Sequence, residues 1–88
     1  MNSKRIDLMY ALTKSTMFYE ELMMGYYKVK TPFPYSTIIE IDTDGNYKLV
    51  IERVEKAMNM YYKVIPLVNT TTSSVVEVIA LINKNVEY

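Results

Sequence analysis

The chain has 88 residues, balances ten Lys plus Arg against ten Asp plus Glu, and is 50% hydrophobic, which suits one small domain over residues 1–88 with a single core. It contains no Cys and no His, so disulfide frameworks, thiolate nucleophiles, imidazole acid–base chemistry and the usual zinc ligand sets are excluded together. Zero formal net charge argues against a broad phosphate-binding surface.

Met1-Asn2-Ser3-Lys4-Arg5 places charge before an apolar segment, but Asp7 and Lys14 interrupt that segment and no small-residue cleavage site follows. With no apolar run of about 18 residues either, the expected location is the cytoplasm.

From Ser3 to about Tyr27 the spacing predicts one long helix. Leu8, Leu12, Tyr19, Leu22 and Tyr26 recur at steps of three, four and seven and share a face, and Ser3 is a candidate N-cap. A second apolar stripe, Ile6, Tyr10, Met17 and Met24, projects to the opposite side of the same helix. An ordinary surface helix carries one stripe, so this one has something to cover on both sides. Either it runs through the middle of the domain or the second stripe meets a partner. Met60, off the apolar face of a later helix, joins Ile6, Tyr10, Met17 and Met24 as a candidate partner-binding residue.

Pro32 and Pro34 force an extended connection. Tyr35–Asp42 and Tyr47–Ile51 are rich in β-branched residues and flank Thr43-Asp44-Gly45-Asn46, which predicts an antiparallel hairpin. With a two-residue turn, Ile39 stands opposite Val50 and Ile38 opposite Ile51. From Val50 onward a helical period fits: Val50, Val54, Ala57, Met58, Tyr61, Val64 and Ile65 fall on one face and Glu52, Glu55, Lys56, Asn59 and Lys63 on the other. A second amphipathic helix is therefore expected from about Arg53 to Lys63, ended by Pro66. Val64–Val68 and Val75–Ile82 could pair as a hairpin, but Ser73 or Ser74 could equally cap a terminal helix from Ser74 to Lys84, the preferred reading. The expected class is α+β: a long N-terminal helix packed on a hairpin, a second helix, and an apolar C-terminal helix or strand.

Glu20, Met23 and Tyr26-Tyr27-Lys28-Val29 align with Glu55, Met58 and Tyr61-Tyr62-Lys63-Val64 at an offset of 35 residues. The plain explanation is two amphipathic helices that end alike.

Asp42 and Asp44 supply two hard oxygen donors beside a glycine turn, the one candidate metal pair and the basis of a weaker alternative, a metal-dependent enzyme. Gly45 follows immediately, however, and Ile51 stands where a calcium loop needs an acid, so the turn itself explains both residues better. No cofactor is expected. The Ser and Thr residues lack a His partner and the glutamates suit solvated faces, so the chain reads as no enzyme. Tyr26, Tyr27, Lys28, Lys30, Tyr61, Tyr62 and Lys63 interleave aromatics with cations, as a nucleic-acid surface does, which keeps that function as the alternative. The favoured expectation is a self-associating, non-enzymatic protein-interaction module, a small inhibitor or adaptor presenting Tyr- and Met-rich helix surface to a protein partner.

Overall fold

The computed structural model describes residues 3–58 and 61–88. It is α+β, in the order α1 (Ser3–Lys14), β1 (Tyr19–Met23), β2 (Tyr26–Val29), β3 (Tyr35–Ile41), β4 (Tyr47–Lys56), β5 (Tyr62–Thr72) and α2 (Val75–Asn85). The strands form one antiparallel meander, with neighbours in space following neighbours in sequence.

The expected long N-terminal helix is only 12 residues. Its apolar period runs on, but the backbone turns away at Thr16, whose φ of 56° is left-handed. Met17 N–H donates to Leu12 O at 2.9 Å and Thr16 N–H to Thr13 O at 3.0 Å, the paired bonds of a Schellman cap, and Met17 and Leu12 are both buried. Ser3 is the first helical residue rather than the residue before the helix. Residues 19–27 of the expected helix instead form the β1–β2 hairpin, closed by Met24 and by Gly25 at φ 79°.

The hairpin of β3 and β4 is present, with its register one residue from the expectation. Ile38 stands opposite Val50 and Ile39 opposite Leu49. Gly45 has positive φ but Asp44 does not, so the two-residue turn is not made. Gly45 N–H donates to Asp42 O, Asp42 N–H donates to Asn46 O, and the Asp42 Oδ1 atom accepts from the Asp44 and Asn46 amides, both at 2.9 Å. This is a three-residue loop of a type I turn followed by a glycine bulge.

The expected second helix over Arg53–Lys63 is overturned: Arg53–Lys56 complete β4, and Tyr62 already belongs to β5. Val54 stands opposite Val64 and Glu55 opposite Lys63, and Val54 N–H donates to Pro34 O. Long-range pairing of β-branched residues has outweighed a local helical period. The terminal helix is as preferred. The side chain of Ser74 caps it by accepting from Glu77 N–H, and Lys84 lies in its last turn.

Both helices cover one face of the sheet. Leu8 and Leu12 from α1 and Val78 and Ile82 from α2 are fully buried against Tyr27, Val29, Ile39, Leu49 and Ile51. Tyr47 joins that layer and its hydroxyl donates to Lys4 O at 2.7 Å, tying α1 to β4. The other sheet face carries Tyr26, Lys28, Ile38, Glu40, Lys48, Val50 and Glu52, alternating with the core residues along the strands. The molecule measures 49 × 26 × 21 Å, far longer in one direction than a compact chain of this size requires.

Candidate interaction surface

The long dimension is reached through the β4–β5 pair. These are the longest strands of the sheet, at 10 and 11 residues, and β3 ends its pairing with β4 at Tyr35 opposite Arg53. Beyond that rung β4 and β5 continue as a two-stranded arm. Its base is marked by a bulge, where Ile51 faces Val68 and Glu52 faces Pro66, leaving Leu67 as the extra residue.

The arm is unusually apolar for its exposure. Met58, Tyr61, Tyr62 and Val64 expose 86, 72, 65 and 54% of their surface, and Phe33, in the loop beside Val54, exposes 83%. Val54 and Val64 face the same side as Val50 and Ile38, whereas Arg53, Glu55, Lys63 and Ile65 face the helix side beyond the reach of the core. Arg53 donates to Glu55 at 3.1 Å, a pairing that two residues one apart on a strand face can make and a helix would prevent.

Along β5 the outer edge is open. Asp42 N–H bonds to Asn46 O and Val54 N–H to Pro34 O, so even-numbered residues of β4 bond toward β3 and odd-numbered ones toward β5. The ladder then turns Thr72, Thr70, Val68, Ile65 and Lys63 inward and leaves Thr71, Asn69, Val64 and Tyr62 outward. Pro66 shares the outward parity, where its missing N–H costs the ladder nothing.

The expected partner-binding residues do not share one helix face. Ile6 and Tyr10 are exposed on α1, Met17 is in the core, Met24 lies at the tip of the β1–β2 turn, and Met60 lies outside the described residues. Tyr10 borders an open groove of about 510 Å³ between α1 and α2, with Ala11, Val75, Val76, Ile79 and Ala80. The tyrosine–lysine residues are split as well. Tyr27 is fully buried, Tyr26, Lys28 and Lys30 belong to the β2 end of the sheet, and Tyr61, Tyr62 and Lys63 lie on the arm, with β3 and β4 between. Lys63 is also paired across the ladder with Glu55. Asp42 uses its carboxylate on the two turn amides, and Asp44 is exposed.

One charge cluster was not foreseen. Arg5 of α1 grips Glu21 of β1 with two bonds of 2.9 and 2.8 Å, and the Tyr27 hydroxyl is buried beside them without a well-formed hydrogen bond. The guanidinium holds the Glu21 carboxyl down at about 2, while burial and the neighbouring carboxylate push the Tyr27 hydroxyl up to about 12. The pair fastens α1 to the β1 edge. A 16-residue separation hides it from any local pattern.

The 35-residue similarity has a structural meaning different from the expected one. Each copy is a hairpin: Glu20 and Glu55 lie in the outgoing strand, Met23 and Met58 near the turn, and the Tyr-Tyr-Lys-Val run leads into or along the returning strand. No protein-family model, no curated protein and no solved structure matches this chain. Among the described residues no helix is long and apolar enough to cross a membrane, and no three acidic residues cluster as a metal site would need.

Proposed function

We propose that this protein is a non-enzymatic protein–protein interaction module, a small inhibitor or adaptor that first of all associates with itself, and that its working part is the β4–β5 arm. The observation that carries this reading is the exposure of Met58, Tyr61, Tyr62 and Val64 on a two-stranded ribbon beyond the core. A two-stranded ribbon by itself is marginal in water. Fully burying one large apolar side chain contributes about 1.5–3 kcal/mol, so a partner that covers several of these residues both orders the arm and gains affinity. Tyr and Met are suited to this role, the one as a stiff amphipathic anchor and the other as an adaptable filler.

Sedimentation over a concentration series tests the reading. The wild-type chain is expected to shift from monomer to dimer, and Tyr61→Ser/Tyr62→Ser to stay monomeric, with far-UV spectrum and melting temperature equal to the wild type's at concentrations where both are monomers. A wild-type chain that remains monomeric up to millimolar concentration, or a double variant that dimerises as well as the wild type, overturns it.

A further inference from the structure

We infer that two copies of this chain pair antiparallel through their open β5 edges, in a register centred on the bulge at Pro66 and Leu67, to form one continuous ten-stranded sheet. The inference rests on the self-association just proposed and names its geometry.

The two edges of the sheet differ sharply. β1 has five residues and a register irregularity between Glu21 and Met23, both of which protect an edge. β5 has eleven residues, and its guards are one charge, Lys63, and one proline. A long, weakly charged edge of β-branched residues is a template for another strand.

The ladder geometry selects both partner and register. The outward-facing residues are Tyr62 and Val64 on one side of the bulge and Asn69 and Thr71 on the other, with Pro66 at the change of parity. Antiparallel pairing about a two-fold axis at the bulge sets Tyr62 opposite Thr71 of the second copy and Val64 opposite Asn69 of the second copy. All four outward residues are then used twice, once from each copy. An axis at Val64 joins the arms alone, and one at Thr70 joins the bases alone. A strand that matches itself across a two-fold axis in this way is complementary to its own copy, the isologous condition of a closed dimer.

The same register covers the arm. On the open face Val54 and Val64 of one copy continue into Asn69, Val50 and Ile38 of the other, and Tyr62 lies beside Thr71 and Lys48 of the other. On the helix side Ile65 lies beside Val68 of the second copy, which stands next to the buried Ile51. Charge offers no obstacle: Lys63 falls opposite Thr70 of the second copy, and the two Lys63 residues are seven positions apart along the edge.

Because the chain has no Cys, single engineered cysteines take a nitroxide label cleanly. Asn69 and Thr71 are both exposed, so Asn69→Cys and Thr71→Cys leave the core intact. With a strand rise of about 3.4 Å and no rung added by the bulge residue, the label pair at 69 is expected about 14 Å apart and the pair at 71 about 27 Å apart by continuous-wave and pulsed electron paramagnetic resonance. Val64→Pro removes an outward N–H, leaves the β4–β5 ladder whole, and is expected to weaken dimerisation at least tenfold with an unchanged far-UV spectrum. A dimer with equal or inverted distances, or one indifferent to Val64→Pro, overturns the edge pairing and leaves arm-driven self-association standing. A monomer at every concentration overturns both.

Discussion

Thr16 is a residue whose importance no periodicity could reveal. It closes α1 in the left-handed region, where a β-branched side chain is strained, and its hydroxyl donates to Ser15 O at 2.7 Å. Glycine is the usual occupant of such a cap, and its absence is why the apolar spacing reads as a helix continuing to Tyr27. Thr16→Gly is therefore expected to stabilise the fold by about 1 kcal/mol, the relief of strain exceeding the added freedom of the unfolded chain. For a domain of this size that corresponds to a rise of about 4–8 °C in melting temperature, and an unchanged or lower value would contradict the account. Asp42 shows the opposite case. The sequence placed it at a strand end beside the turn rather than at a metal, and the structure adds that its carboxylate accepts the Asp44 and Asn46 amide protons, a local bond of the kind that an aspartate at the start of a turn makes.

For single elements, β-branched density and turn residues located β3 and the first half of β4, while register depended on which loop the backbone chose. A three-residue loop puts Leu49, rather than Val50, across from Ile39 and into the fully buried layer. Leu49→Ala is accordingly expected to cost about 2–5 kcal/mol in urea unfolding, and Val50→Ala, on the uncovered face, less than about 1.5. The reverse order would restore the two-residue turn. The distal half of β4 was illegible for another reason. Val50, Val54, Ala57, Met58 and Tyr61 fit a helix well, but the partner that makes Val50 and Val54 strand residues starts only at Tyr62, after a connecting sequence with no Gly or Pro. The apolar Val75–Ile82 run was decided locally, by the Ser74 side chain at the amide of Glu77.

Across the whole molecule, stability should be uneven. The core lies under the two helices, whereas the arm has only its own ladder. In dilute solution the amides of Glu55, Lys63 and Ile65 are expected to exchange at least ten times faster than those of Leu49 and Ile51, because the arm opens without unfolding the core. In concentrated solution the amides of Val64 and Asn69 should gain protection as the edge is covered. Uniform exchange in the dilute state would mean the arm is as well supported as the sheet.

The length, the missing Cys and His, the charge balance and the apolar fraction bounded a small chain with one core, and β-branched runs, the Asp-Gly turn and helical periods indicated its α+β class and directed attention to Tyr- and Met-rich surface. Those properties depend on composition and on contacts within a few residues. Where that surface lies was decided by tertiary structure alone. Met17 went inward because a threonine adopted a left-handed cap, and Tyr62 and Val64 came outward because two strands outran the helices that cover the rest of the sheet. A strand gets its identity from a neighbour that can be distant in sequence, so the arm becomes visible only once β4 and β5 are paired.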